Sequence, residues 1–543
     1  MSSSHTMKSF YISISCFLIC TAACNGTARS TPEIKRDTTI TPGNSFSELF
    51  LDSNKVESFI NFNQLSNDAS HRLRNFYNGR NYQFAWFTKS GLAEQTRAFW
   101  NLQQNYITLS KDSLLIDTVL SKSLETLLTE DKDLKVHADE LISIELQLTQ
   151  HFFKYVEYAY AGKFDPEELS WHIPRKKVNE MELLDSLIAN KGQHSETWEP
   201  LNRQYNLLKE KLLGYYQLEK SELTDSIPLP GKKTYKVGDT SLIVARVKKK
   251  LIELNDYLFE DTSANFNPEL VIAVQQAQKR FGLPKHGIIN STLVKALNIP
   301  VKERIRQMLI NMERMRWLPK EPPGNYLLAN IPEFKLHIVE DSKNIFEMNI
   351  IVGKTANRTI IFNEMLKYVV FSPYWNIPPS IVKDEILPGI QQNRGYLRSK
   401  NMEQTGYEEG LPVIRQRPGA DNSLGRVKFI FPNNYNIYFH DTPQKSLFKE
   451  PKRAFSHGCI RLAEPEKLAV YLLKDQVRWT REKIAKAMND NEENWVIIKE
   501  PVPVVITYFT AWVDQDGLLN FREDVYGHDQ TMAGLLFASG TAR

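Results

Sequence analysis

Tyr438-Phe439-His440-Asp441-Thr442-Pro443 and, a short way downstream, Ser456-His457-Gly458-Cys459-Ile460-Arg461-Leu462 carry the chemistry of this chain and set the reading of its fold. The first stretch closes a run of apolar and aromatic residues and reads as the end of a strand, which puts His440 at a sheet edge facing a cleft. In the second, a Ser-His-Gly turn delivers Cys459, and Gly458 lets backbone approach a substrate closely. A thiol is a weak nucleophile until it ionises, and a nearby imidazole can take its proton. Backbone N–H groups around Gly458 and Cys459 are suited to hold the oxyanion of a tetrahedral intermediate. Arg461 can stabilise a thiolate or clasp a substrate carboxylate.

Three plainer readings compete. His457 and Cys459 would serve as zinc ligands, His440 as an ordinary strand residue, or Cys459 as a core thiol. The cysteine inventory weighs against zinc. The chain has 4 cysteines, and Cys16, Cys20 and Cys24 all sit at the extreme N-terminus. There Lys8 precedes an apolar run from Phe10 to Ile19, broken by Ser13 and Ser15 and followed by Thr21-Ala22-Ala23. This reads as a secretory signal over 1–23, too short and too interrupted for a membrane span. The small residues before Cys24 resemble a bacterial lipoprotein signal, with Cys24 lipidated and anchoring the protein to a membrane. The exported body then keeps Cys459 as its one thiol. That excludes a disulfide framework and leaves too few ligands for a structural zinc, so no metal and no cofactor is expected.

Outward from the motif, the 543 residues suggest several domains. At 42% hydrophobic and 24% charged the chain is globular, and a net charge of +4 gives no basis for nucleic-acid binding. Residues 24–45, rich in Ser, Thr, Pro and Gly, read as a flexible tether. Residues 46–236 show helical periodicity, as in Leu141 to Tyr160 and Tyr205 to Leu218. Tyr77, Tyr82 and Trp86 there form either a sugar-stacking surface or, by preference, core packing. Residues 237–300 read as three short helices, Leu242 to Leu254, Pro268 to Phe281 and Ser291 to Leu297, the last capped by Asn290 or Ser291. The basic segment 301–322, with Arg304, Arg306, Arg314 and Arg316, reads as a solvated linker helix. Short β-branched and aromatic runs then mark a mainly-β domain over 323–500, interrupted at 381–410 by a glycine-punctuated insertion; 501–543 reads as a C-terminal extension. The expected fold class is multi-domain α+β.

His440 followed by Ser456-His457-Gly458-Cys459-Ile460-Arg461 is similar to the signature of the L,D-transpeptidase catalytic domain. Ser372 to Ile381, Arg415 to Gly419 and Asn422 to Phe429 extend the likeness to the large multi-domain form found in Gram-negative envelopes. Ala273 to Gly287 resembles the small helical peptidoglycan-binding domain, with Ala277, His286 and Asn290 standing where that pattern has an aromatic, an acid and a glycine. The resemblance implies a periplasmic peptidoglycan transpeptidase acting on stem peptides, with Cys459 as nucleophile and His440 as base. It implies a ring oriented by the Asp441 backbone carbonyl, with an Asp441 carboxylate triad as the alternative. Ser456, His457 and Gly458 would shape the site, Tyr438, Arg461 and Asn422 would contact substrate, and 381–410 would act as a lid. Hydrolysis to trimmed stems, or a non-catalytic wall-binding scaffold, are the competing functions. Sequence names no protein partner.

Overall fold

The computed structural model describes residues 33–129, 138–173, 176–194, 199–221, 226–320 and 324–537. The proposed signal and Cys24 lie outside the described residues. The chain divides into two compact units, Met1–Phe84 and Ala85–Arg543. In the first, α1 (Ser53–Phe62) and α2 (Asn67–Gly79) begin at Asp52 and Ser66, whose side chains accept hydrogen bonds from the Asn54 and Ala69 amides. Residues 33–45 differ from the flexible tether expected. Ile34 N–H donates to Asn75 Oδ1 and Asp37 N–H to the Asn78 carbonyl, both at 2.9 Å, and Asn81 Nδ2 donates to the Ile40 carbonyl at 2.7 Å. Asparagines on and just beyond α2 thus give a polar strand of chain the partners that composition alone does not reveal.

In the second unit α3 (Glu94–Ser110), α4 (Thr118–Thr129), α5 (Ala138–Val156), α6 (Glu180–Ala189) and α7 (Arg203–Lys220) form the helical layer. Trp86 packs against Phe99 and Phe152, and its indole N–H donates to Thr149 Oγ1 at 2.8 Å. With Tyr77 and Trp86 both fully buried, these two aromatics are core; Tyr82 is half-buried. The next three helices, α8 (Leu242–Glu253), α9 (Pro268–Arg280) and α10 (Ser291–Leu297), fall where periodicity places them, and Asn290 caps α10. Their shared core takes in Ile227 and Tyr235, so this module starts earlier than residue 237.

The basic helix α11 (Val301–Trp317) overturns the solvated-linker expectation. Arg304, Asn311, Glu313, Arg314 and Arg316 are all buried. Burial is tolerated where a counter-charge or aromatic face lies alongside, and Arg304, which has no acidic partner among the described residues, rests over the Phe281 and Phe521 rings and donates to the Ala296 carbonyl at 3.1 Å. Arg314 meets Asp529 at 2.6 Å and lies over the Trp171 and Tyr508 rings, and Arg316 meets Glu313 at 2.6 Å and the Ala159 carbonyl at 3.0 Å.

Strands β1 (Tyr326–Asn330), β2 (Lys335–Glu340), β3 (Lys343–Gly353) and β4 (Ile361–Phe371) open the β domain. A small second sheet follows, made of β5 (Trp375–Asn376), β6 (Met402–Glu408) and β7 (Leu411–Gln416). The main sheet resumes with β8 (Val427–Ile430), β9 (Phe439–His440), β10 (Ala454–Ser456), β11 (Ile460–Leu462) and β12 (Asn494–Thr507). Its order is β8-β9-β11-β3-β2-β1-β12-β4, with a short strand Trp171–His172 parallel to β4 and β10 paired with β3 off this path, and β8 also pairs with β4, which closes the ring. Alternation sends Leu336, Ile338, Ile350, Val352, Val427, Phe429, Phe439, Ile460 and Leu462 into one apolar core.

Two domain limits shift. Strand β12 runs from Asn494 to Thr507, so a boundary at 500 would cut a strand, and Tyr508, Tyr526 and Met532 belong to the barrel's core cluster. The insertion is wider than 381–410. It spans β5 to β7 with short helices between them, and Ile377, Ile381, Val382, Ile386 and Ile414 give it a core of its own.

Candidate active site

Strands β9 and β11 run parallel, with Phe439 opposite Ile460 and His440 opposite Arg461. That register sets Cys459 level with Tyr438. Because side chains alternate, Phe439, Ile460 and Leu462 enter the barrel core while Tyr438, His440, Cys459 and Arg461 share the other face. His440 is flanked by β8 and β11 and is buried, so the expected sheet-edge position is corrected. Cys459 is partly exposed and is the free cysteine among the described residues.

His440 Nδ1 lies 2.5 Å from the Asp441 backbone carbonyl. A carbonyl can only accept, so Nδ1 carries the proton and Nε2 keeps the lone pair that a base requires. The Asp441 carboxylate is engaged elsewhere: Oδ1 pairs with Lys445 Nζ at 2.6 Å and Oδ2 accepts from the Arg426 amide at 2.9 Å. Carbonyl orientation is therefore the arrangement present, and a carboxylate triad is not. A side chain at Gly425 would strike Asp441 at 2.4 Å, so that glycine (φ +63°) makes room for the anchor.

The sulfur and the imidazole share a face, and the hydrogen bonds described for each go to other groups. Strand spacing of about 4.8 Å and a rise of about 3.3 Å per residue put their Cα atoms roughly 8 Å apart. Sγ donates to the Asn436 carbonyl at 3.4 Å. Tyr438 stands beside both, close enough to oppose the thiol's upward shift and set edge-on to His440 with ring centroids 5.8 Å apart. Electrostatics agree with a neutral pair. Burial pushes the Cys459 thiol up to about 11, against the pull of Tyr438 and Arg461. Burial and then the Arg461 charge push His440 down to about 3, partly opposed by the Asp441 and Leu424 carbonyls.

The loop before Cys459 is tied at several points. Ser456 Oγ donates to the Cys459 carbonyl at 2.6 Å and accepts from the Gly458 amide at 3.2 Å. Gly458 has φ +121°, and the space where a Cβ would stand is open except for the Arg358 carbonyl at 4.0 Å. His457 Nε2 reaches Glu385 of the insertion at 3.2 Å, which joins the loop before Cys459 to the segment expected as a lid. Arg461 donates to Gln444 Oε1 at 2.6 Å, while its buried Nε has no partner.

Asn422 is a correction. It is buried, its Nδ2 donates to the Pro373 and Arg417 carbonyls at 3.1 and 2.9 Å, and its Oδ1 accepts from the Leu424 amide at 2.8 Å. With its polar atoms so engaged it staples the root of the insertion, and its side chain is committed to backbone rather than turned to a ligand. Residues missed by sequence reading include Gln416, which shares that staple by donating to the Lys400 carbonyl at 3.0 Å, and Thr359, which donates to the Gly458 carbonyl at 2.7 Å. No local pattern marks either one. Across the barrel, Glu333, His337 and Glu347 cluster closely. His337 presents Nε2 to Glu333 at 2.8 Å and Nδ1 to Glu347 at 3.4 Å, so the carboxylates sit on opposite ring nitrogens, the geometry of a doubly hydrogen-bonded imidazolium.

Residues 324–498 match the family described as the L,D-transpeptidase catalytic domain, and residues 71–212 match the Scaffold domain. A putative L,D-transpeptidase of Haemophilus influenzae is 28% identical over 292 residues, which span 51% of this chain and 58% of that relative. Among solved structures, an L,D-transpeptidase from Stackebrandtia nassauensis is 16% identical, with 52% of this chain and 96% of that one covered at a TM-score of 0.20. One from Mycobacterium smegmatis is 13% identical, with 34% and 58% covered at a TM-score of 0.20. Overlaps at such scores carry no weight beside the family matches.

Proposed function

We propose, from the premise that residues 324–498 form an L,D-transpeptidase catalytic domain, that the protein cross-links peptidoglycan stems through an acyl-enzyme on Cys459. The observation that carries the reading is the common face of β9 and β11, where the free thiol, a neutral imidazole with Nε2 unprotonated, and a partly unpaired guanidinium lie together.

In the proposed reaction Cys459 loses its proton to His440 Nε2 and attacks the carbonyl that follows the L-centre of a donor tetrapeptide stem. The C–N bond to the terminal D-alanine breaks, and the departing amine takes the proton from His440. A diaminopimelate side-chain amine of a second stem then attacks the thioester, gives a proton to His440 and forms the 3→3 amide. The thiolate leaves and is reprotonated. Because the resting thiol is pushed up to about 11, proton transfer to His440 accompanies attack on the bound carbonyl, so that no free thiolate accumulates. Arg461, beside Cys459, supports the developing thiolate and is suited to a stem carboxylate. Gly458, Ser456 and His457 shape the loop. The insertion gates access, and an exported, envelope-located protein anchored through Cys24 would meet this substrate.

Incubation with tetrapeptide stems followed by mass analysis tests the reading. Cross-linked dimers with release of D-alanine are expected; trimmed stems without dimers would convert the assignment to hydrolysis. A carbapenem should add its mass to the wild type and leave Cys459→Ala unmodified, and an unmodified wild type would reject Cys459 as nucleophile.

A further inference from the structure

An oxyanion hole needs a donor that is both unspent and held still. The catalytic loop offers two backbone amides, and they are not equivalent. The Gly458 N–H is bonded to Ser456 Oγ at 3.2 Å. The Cys459 N–H has no acceptor among the described residues. Its direction is fixed from behind. In a trans peptide the C=O and the following N–H point opposite ways, so whatever grips the Gly458 carbonyl aims the Cys459 amide away from itself.

That grip is a buried relay from three distant parts of the chain. Thr359 Oγ1 donates to the Gly458 carbonyl at 2.7 Å and accepts from the Gly353 amide at 2.9 Å. Tyr526 Oη donates to the Gly353 carbonyl at 2.6 Å and accepts from the Thr359 amide at 3.3 Å. Thr359 and Tyr526 are 2% and 3% exposed, so water does not compete for these bonds. Gly353 is required where it stands, since a Cβ there would meet the Asn357 carbonyl oxygen at 2.0 Å and the Thr359 amide at 2.9 Å. A threonine from the loop before β4, a glycine ending β3 and a tyrosine past β12 thus converge on one catalytic peptide bond. Gly458 at φ +121° has no side-chain preference to hold this orientation unaided.

We infer that Thr359 and Tyr526 are positioning residues that lock the Gly458–Cys459 peptide so that the Cys459 N–H serves as the oxyanion donor. The inference rests on the acyl-transfer reading above and adds to it the orienting apparatus.

Comparison of two reactions of the same sulfur tests it. Acylation by a carbapenem passes through a tetrahedral oxyanion, whereas alkylation by iodoacetamide does not. Thr359→Val removes the hydroxyl and nearly keeps the shape; acylation should slow about 10–100-fold while alkylation stays within about twofold. The loss should fall on the acylation rate constant more than on the concentration giving half-maximal rate, and Thr359→Ser should recover most of it. Tyr526→Phe, which keeps Thr359 but releases Gly353, should show the same selective loss at smaller size. It decides the matter if Thr359→Val does not fold. Equal slowing of both reactions, or undiminished acylation, overturns the positioning role. Failure of the wild type to acylate at all would instead remove the acyl-transfer reading beneath it.

Discussion

Two histidines on the same barrel, His440 on β9 and His337 on β2, are held in opposite states by their neighbours. Both are largely removed from water, which disfavours a charged ring in each case. Around His440 the nearby charges are Arg461 and Lys445, both positive, and the remaining partners are carbonyls, so its pKa falls to about 3. Around His337 the carboxylates of Glu333 and Glu347 outweigh burial and the positive Lys335, and its pKa rises. Glu333 answers in kind: despite burial, His337, Arg522 and Lys335 hold its carboxyl down to about 2. Burial disfavours the charge in both rings, and the charges placed around them decide which is driven toward the neutral form and which toward the cation.

The comparison can be broken most sharply at His440. His440→Gln keeps size and polarity but has no lone pair of comparable basicity, and stem cross-linking should fall about 10²–10⁴-fold in a turnover assay. A loss under tenfold would mean another group takes the proton. Next in size is the pH dependence of thiol alkylation. With Cys459 pushed up to about 11, the iodoacetamide rate should climb about tenfold per pH unit from 7 to 10. A plateau beginning near pH 7 would reveal a thiolate–imidazolium pair and refute the neutral resting site.

Stability should respond to pH with opposite signs at the two rings. His440 has a depressed folded pKa, so the unfolded chain binds its proton first. Its contribution is complete above about pH 6.5 and is lost as pH falls toward 3, by up to about 1.4 kcal/mol per pH unit. His337 is raised, so its contribution is complete below about pH 6.5 and is lost as pH rises through its folded value. Glu333→Gln should lower the His337 pKa, seen in its NMR titration, and cost about 1–3 kcal/mol in urea unfolding at pH 6. An unchanged titration would separate the two residues. The smallest expected effect is at the contact with the insertion: Glu385→Gln breaks a half-exposed pair with His457 and should change stability by less than about 1 kcal/mol.

The motif around Cys459 was readable because its residues are close in sequence, and period-two and three-to-four spacing placed most strands and helices. What could not be read depends on partners brought from afar. Arginines at helical spacing in α11 look solvated until Asp529 and the Trp171 and Tyr508 rings are set beside them. Asn422 looks like a substrate ligand because it opens a segment that resembles the family; its bonds go to Pro373 and Arg417. Thr359 and Tyr526 carry no local signal, since one hydroxyl each acquires meaning only where β3, β4 and the chain after β12 meet. The orientation of His440 by the Asp441 carbonyl follows from family likeness, whereas the bond from the sulfur to the Asn436 carbonyl does not.

The buried guanidinium of Arg314 has a practical corollary for anyone shortening this protein. A fragment confined to 324–498 would end inside β12 and omit both Tyr508 and Asp529, and it would also lack the helix that carries Arg314. Such a piece would expose raw apolar flank at two places and should precipitate, whereas one beginning ahead of Trp171 and continuing past Met532 would retain its own wrapping.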